Sequence, residues 1–330
     1  MKILITGCAG MIGSNLSHWF IEVTDFEIIG VDNLSGGWWA NMPVDKRFTF
    51  VKMDVGHSFL DTVFLENKPD VVYHAAAYAA ENLSPFIRKF NYTNNLVATA
   101  NVVNCCIKHE VKRLVFFSSI AVYGHGKPPY KETDIPTPND PYGIAKYACE
   151  LDIKVAGEQH GLDWCIVRPF NVYGRRQNIK DKYRNVLGIF INQYLSGKPL
   201  TIFGDGSQVR CFTNVNDILH PLFNAGVIQQ HSKKTYNLGS ETPYTVKEAA
   251  DMLIDVMGGG TIQYMDARHE VHTAMADSKL AQRCLSFYSD KKPFKEGLKE
   301  MYEWVLNNHC AIETEAPEYE ITKGMYNAWK

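Results

Sequence analysis

The chain has 330 residues, of which 45% are hydrophobic, 12% aromatic and 21% charged; it is too apolar for a disordered polymer and too long for a small stapled fold. Its 34 Lys and Arg against 36 Asp and Glu leave a formal charge of -2, without the basic excess that nucleic-acid binding draws on, so no nucleic-acid partner is expected. Eight cysteines are scattered without ligand spacing, which predicts reduced, buried thiols and no metal.

The chain opens directly on an apolar β-branched run, Lys2 to Thr6, and similar runs recur at Glu27 to Asp32, Phe48 to Met53, Val71 to His74 and Leu114 to Ser118. Such runs read as buried parallel strands, and the stretches between them, Ile12 to Val23 and Asn94 to His109, are long enough for crossover helices. No signal peptide precedes the first strand and no apolar run reaches membrane-spanning length, so a soluble cytoplasmic protein without a membrane partner is expected. Ile135-Pro136-Thr137-Pro138-Asn139-Asp140-Pro141 breaks the rhythm and opens a helix, with Asp140 as its cap and Pro141 at its first position. That helix runs through Tyr142, Lys146 and Glu150 towards Gly161, followed by a strand from Trp164 to Arg168. The pattern predicts an α/β doubly wound parallel sheet, a Rossmann fold over residues 1–174, with a smaller C-terminal α/β lobe over 175–330. Within that lobe a loop at 175–184 precedes a helix from Val186 to Ser196, and stretches near 209–217 and 235–238 are expected to return to the first lobe. A helix ends near Asn307, and residues 313–330 are left without an assigned element.

Gly7, Gly10 and Gly13 lie between the first strand and the first helix, with Met11 and Ile12 among them. Here glycine allows a tight turn, close approach of backbone to a pyrophosphate and close packing of the helix, whose N-terminus attracts anionic phosphates. Asp32 ends the second strand, where a carboxylate accepts hydrogen bonds from ribose hydroxyls and repels a 2′-phosphate. The residues after it, Asn33-Leu34-Ser35-Gly36-Gly37, offer no cation, so NAD is favoured over NADP. Tyr142 and Lys146, spaced i and i+4, share one helix face, and an ammonium near a phenol lowers its pKa towards that of a working base.

The glycine pattern, Asp32, Asp54-Val55, His74-Ala75-Ala76-Ala77, Ser118-Ser119-Ile120-Ala121-Val122-Tyr123-Gly124, Tyr142-x-x-x-Lys146 and Arg168-Pro169-Phe170-Asn171-Val172-Tyr173-Gly174 together resemble the extended short-chain dehydrogenase/reductase family. Within it the chain is most similar to NAD-dependent nucleotide-sugar 4-epimerases of the UDP-glucose and UDP-N-acetylglucosamine type. The resemblance implies Ser119, Tyr142 and Lys146 as the catalytic set. Asn33, Asp54 and Val55, Ala75 to Ala77, Asn95, Ser118 and Phe170 would lie along the NAD. Asn171, Asn185, Val186, Thr201, Ile202, Phe203, Arg210 and Arg268 would hold a UDP-sugar. The chemistry implied is transient oxidation at sugar C4 to a 4-keto intermediate, which NAD re-reduces from the other face. A homodimer is implied too, built on the Tyr142 helix and the helix Asn95 to Lys108, with cysteines 105, 106 and 149 near the contact.

Related 4,6-dehydratases carry an Asp-Glu pair where this chain has Ile120-Ala121, so elimination has no evident catalyst. A UDP-glucuronate 4-epimerase or decarboxylase stays open, as does a non-catalytic NAD-binding regulatory protein. Ala274, or Thr273 on a shifted alignment, occupies the place where a small residue admits an N-acetyl group. Three departures stand out. Arg210 is followed by Cys211 rather than an aspartate, which predicts a missing junction hydrogen bond. Glu81 stands near the place of a frequent lysine and reads as exposed or helix-capping, with a pocket-facing role as the alternative. Trp38-Trp39 reads either as packing or as a cover on the adenine side.

Overall fold

The computed structural model describes residues 1–289, 291–308 and 317–329. Among them, seven strands form one sheet in the order Lys234–Leu238, Trp164–Pro169, Arg113–Phe117, Val71–His74, Lys2–Thr6, Glu27–Asp32 and Phe48–Lys52. All six pairings are parallel. Chain order reverses between Lys2–Thr6 and Val71–His74, with Thr6 opposite His74, and a crevice opens beyond the carboxyl ends of strands at such a reversal. Both faces are covered, which is why the inner strands carry apolar runs such as Ile3-Leu4-Ile5 and Leu114-Val115-Phe116-Phe117 rather than an alternating pattern. Leu16 and Phe20 of helix Met11–Val23 pack with Ile218 and Leu222 of helix Val215–Val227 on one face, while Val102 and Cys106 pack with Cys149 and Ile153 on the other.

Helix Pro141–Gln159 begins as its sequence dictates: Asp140 Oδ1 accepts from the backbone N–H of Tyr142 at 2.9 Å and of Gly143 at 3.0 Å, with Pro141 at the first position. The expected crossover from Asn94 is less regular. Residues Thr93–Val97 form a widened π turn before helix Ala98–Lys108, and that turn rotates the face its residues present.

The smaller lobe has its own core, including Leu187, Phe190, Ile202, Phe212, Leu253 and Leu298. Strand Leu200–Phe203 pairs with Ile262–Met265, and Val209–Cys211 lies between Pro243–Thr245 and Thr273–Ala274. Of the two stretches expected to return to the first lobe, only Lys234–Leu238 enters the large sheet, beside Trp164–Pro169. Within 209–217, Val209–Cys211 stays in the small lobe, Thr213–Asn214 pairs in parallel with Val172–Tyr173, and helix Val215–Val227, apolar on the face carrying Ile218, Leu219 and Leu222, packs onto the large sheet. The junction that Cys211 was expected to leave open is closed from the other side, because Asn171 Nδ2 donates to the Cys211 carbonyl at 3.1 Å.

Cys8, Cys105, Cys106, Cys149, Cys165 and Cys211 are buried free thiols and Cys284 is half-buried, while Cys310 lies outside the described residues. Cys105, Cys106 and Cys149 are enclosed by their own chain's core rather than presented at a surface. No helix among the described residues is long and apolar enough to cross a membrane.

Candidate active site

A cavity of about 930 Å³ runs from the switch point of the sheet into the smaller lobe, at the upper end of what single small ligands occupy. Its floor at one end is backbone. Gly7 adopts φ +70°, and a Cβ there would stand 2.7 Å from the Ala76 nitrogen; a Cβ on Gly13 would meet the Gly7 carbonyl oxygen at 2.3 Å. Glycine is therefore required for the turn at 7 and for the approach of the helix at 13. Gly13 itself does not line the cavity, whereas Gly7, Gly10, Met11 and Ile12 do. The facing wall, Ala75 to Ala77, is fixed by a buried chain of hydrogen bonds. Thr6 Oγ1 lies 2.7 Å from His74 Nδ1, His74 Nε2 lies 3.0 Å from Thr99 Oγ1, and the Ala76 N–H donates to Thr6 Oγ1 at 3.1 Å.

Asp32 closes this end. Its carboxylate accepts from the Ala9 N–H at 3.0 Å and the Leu34 N–H at 2.7 Å. Burial pushes its pKa up, while those two N–H groups and the Arg184 guanidinium pull it down. Asn33 Nδ2 donates to Asp54 Oδ2 at 2.9 Å, and both residues line the cavity with Val55. A glycine cradle that any Cβ would fill, a helix N-terminus behind it and a carboxylate at the ribose position fit an NAD pyrophosphate and adenosine. Trp38 is buried and Trp39 packs edge-on against Phe50, so neither covers the site.

Ser119, Tyr142 and Lys146 meet at the middle of the cavity, with Phe170 and Ser118 beside them. Ser119 leaves the strand Arg113–Phe117 in extended backbone and its Oγ accepts from the Ala121 N–H at 3.1 Å, which fixes the hydroxyl near Tyr142. Burial pushes the Tyr142 phenol well up; a hydrogen bond with Ser119 pulls it down, the Glu81 and Asp140 carboxyls push it up, and Arg184 pulls it down. Lys146 Nζ donates to the Phe117 carbonyl at 2.7 Å and lies over the Tyr142 ring, 5.9 Å from its centroid. Burial lowers the Lys146 pKa to about 8. Ser118 turns its hydroxyl inward to Glu150 Oε1 at 2.5 Å. Glu150 in turn accepts from Arg168 at 2.8 and 2.6 Å, and Arg168 donates to the Tyr123 hydroxyl at 2.6 Å. This buried ion pair lies behind the catalytic set.

In the smaller lobe Asn171, Asn185, Val186, Thr201, Ile202, Phe203, Arg210 and Arg268 all line the same cavity. Asn185 Nδ2 is committed to the Val172 carbonyl at 2.6 Å. Arg210 and Arg268 both bind Glu270, at 3.0 and 3.2 Å, and Arg268 lies over the Phe203 ring at 4.4 Å from its centroid.

Two expected residues stand apart. Asn95 is buried, accepting from the Tyr78 N–H at 2.8 Å and donating to the Tyr78 carbonyl at 3.2 Å, while Asn94 faces the cavity. The π turn moves the lining position back by one residue and leaves Asn95 to hold the loop after His74. Ala274 packs against the cluster of Tyr123, Tyr130 and Phe170 and is not among the residues that line the cavity. Sequence reasoning also missed lining residues, Lys180, Lys182, Arg184, Glu270 and Trp329, and Glu81 takes the pocket-facing role that stood as the alternative to an exposed or capping one. Glu81 begins the 3₁₀ turn Glu81–Phe86 and points at Tyr142 and Asp140. Burial and then the Asp140 carboxylate raise its pKa to about 7, against the pull of Arg210.

Residues 3–239 match the model of the NAD dependent epimerase/dehydratase family. The chain belongs to that family. It is therefore an NAD-dependent enzyme with the Rossmann-like architecture described above. A UDP-glucose 4-epimerase of Mycolicibacterium smegmatis is 31% identical over 265 residues, 78% of this chain and 83% of that protein. Among solved structures, UDP-glucose 4-epimerase of Thermotoga maritima with UDP-glucose aligns at TM-score 0.86 and 30% identity, over 93% of this chain and 99% of its own. UDP-glucuronic acid 4-epimerase of Bacillus cereus, with UDP-glucuronic acid and NAD, aligns at TM-score 0.85 and 27% identity, over 93% and 99%.

Proposed function

We propose that this family member is a nucleotide-sugar 4-epimerase acting on a UDP-hexose or UDP-N-acetylhexosamine. The observation that carries the reading is the meeting of Ser119, Tyr142 and Lys146 in one cavity, between a glycine cradle and a pair of arginines. Tyr142 takes the proton of the sugar 4-hydroxyl and later returns it, with Ser119 hydrogen-bonded to the same oxygen. Bound NAD supplies the reversible hydride acceptor at C4. Gly7, Gly10, Asp32 and Asp54 would hold it, with Lys146 at its ribose. Arg210 and Arg268 bind the substrate diphosphate far from the reacting carbon, Glu270 keeping both aimed inward.

Ile120 and Ala121 put no carboxylate beside Ser119, which supports epimerisation over elimination or decarboxylation. Glu81 favours a neutral sugar over a uronate. A pocket that already holds back Glu81's own ionisation, with Asp140 and Glu270 near it, resists a further carboxylate at C6. We also propose a homodimer through the helices that carry Val97, Ile144, Leu151 and Val155, apolar side chains that are 58%, 41%, 47% and 45% exposed; a sedimentation series that finds monomer at every concentration would remove it.

The test is a product screen by NMR and mass spectrometry over UDP-glucose, UDP-N-acetylglucosamine and UDP-glucuronate, run with Tyr142→Phe alongside. Wild-type protein is expected to invert C4 of one or both neutral sugars. Tyr142→Phe should lower that rate by about 10³-fold or more with NAD still bound. Undiminished turnover in the variant would reject the mechanism, and NAD binding without turnover of any sugar would favour a regulatory protein.

A further inference from the structure

The C-terminal residues 317–329 border this cavity at Ala328 and Trp329 and contact three separate elements at once. The backbone N–H groups of Glu320 and Ile321 donate to the Phe86 carbonyl at 2.8 and 3.2 Å. The Glu320 carboxylate accepts from the N–H groups of Lys89 and Phe90, both at 2.7 Å. These four bonds fasten the segment to the stretch that follows Glu81. The second attachment is to the loop carrying Arg184. Tyr319 and Tyr183 share a hydrogen bond between their hydroxyls, and the Trp329 ring stands 5.1 Å from that of Tyr183. The third is to the smaller lobe, where Tyr326 meets Phe203, the ring under Arg268, at 6.5 Å. Met325 is buried at the centre of these contacts, and Ala328 and Trp329 themselves line the cavity.

The segment is an addition to the domain rather than part of its cores. The family match covers residues 3–239 and so stops well short of this segment. None of its residues enters the three large apolar clusters, only the small one around Leu83, Phe86 and Ile87.

We infer that residues 317–329 are a substrate-binding wall of the pocket, which holds a nucleoside diphosphate sugar in place and keeps its oxidised form from leaving between the two hydride transfers. The inference rests on the proposed epimerase reading for the identity of the ligand. A wall that touches the Glu81 turn, the Arg184 loop and Phe203 at once spans both the sugar and the nucleotide ends, so ligand binding and docking of the segment support each other. With the wall gone, the sugar left after hydride transfer to NAD departs as the free ketone, and the enzyme is stranded with reduced cofactor that absorbs near 340 nm.

The experiment compares the full NAD-loaded chain with a chain lacking residues 317–330 and with Trp329→Ala. UDP affinity is measured by calorimetry, and absorbance near 340 nm is followed during incubation with UDP-glucose and UDP-N-acetylglucosamine. The expected result is an affinity for UDP about tenfold weaker in the truncated chain, a smaller loss in Trp329→Ala, unchanged NAD content, and accumulation of reduced cofactor in the truncated chain alone. Unchanged UDP affinity without such accumulation in both variants would overturn the wall. Should the truncated chain not fold, hydrogen exchange on the intact chain decides: UDP must slow exchange across 317–329, and equal rates with and without it overturn the inference. Tight UDP binding that depends on the segment, in a chain that epimerises none of the sugars, would defeat the epimerase reading and leave the wall standing.

Discussion

At the cofactor end of the cleft the surface is largely backbone: Gly7 and Gly10, the wall Ala75 to Ala77, and a carboxylate pinned by two N–H groups. At the sugar end it is side chains from separate segments, among them Glu81, Phe203, Arg210, Glu270 and Trp329. A backbone surface depends on strand register and the absence of Cβ atoms, so it tolerates little change but serves any chain that keeps the register. A side-chain surface can be rewritten one residue at a time without unfolding the sheet. The difference explains why the cofactor follows from the family while the sugar has to be argued from individual groups.

The comparison can be broken at the support that both ends share. Glu150→Gln leaves Arg168 buried and half-paired behind the catalytic set, and a loss of about 3–5 kcal/mol in denaturant unfolding is expected, with both ends weakened together. Gly7→Ala strikes the backbone end alone. Its Cβ falls 2.7 Å from the Ala76 nitrogen in a left-handed conformation, so a cost of about 3 kcal/mol and loss of co-purifying NAD are expected; full NAD content would show that this end is more pliant than its geometry implies.

Glu81→Gln acts at the sugar end. Because the folded-state pKa of Glu81 is raised to about 7, its stabilising contribution is fully present below the ordinary carboxyl pKa and is lost as pH rises through 7. Wild type should therefore lose on the order of 2 kcal/mol relative to the variant between pH 5 and 8, read from paired melting curves. The same change should raise turnover of UDP-glucuronate relative to UDP-glucose by about tenfold, and an unmoved ratio would remove Glu81 as the group that disfavours uronates. The smallest effect is expected at Ala274. Since it lies outside the cavity, Ala274→Gly should leave the preference between glucose and N-acetylglucosamine within about twofold, short of the roughly tenfold that a methylene inside a pocket is worth.

The same contrast governs what could be read before any coordinates. Gly7, Gly10, Asp32, Ser119, Tyr142 and Lys146 announce themselves because each belongs to a short motif locked to a strand end or helix start, and local geometry dictates the residue type. Asn95 is implied by the resemblance alone, and no sequence signal marks the π turn at Thr93–Val97 that leaves it buried and brings Asn94 to the cavity. The return expected near 209–217 begins only at Thr213, which pairs with Val172, because a strand-like run does not itself name its partner. Glu81 and Trp329 reach the cavity through loops and a terminal segment, where no periodicity records which way a side chain points, and aromatic residues near a chain end carry no signal of the ring cluster they join.

The hydrogen-bonded imidazole of His74 sets how the enzyme responds to acid. Burial, and then the Lys146 charge, lower its pKa to about 3, so the histidine at the heart of the switch point stays neutral throughout the physiological range. The joint between the first and fourth strands therefore carries no proton switch. A change in activity near neutral pH must be sought in Glu81 and Lys146, cavity groups whose ionisation burial has moved to about 7 and about 8, while the hydrogen bonds that fix the Ala75 to Ala77 wall should hold.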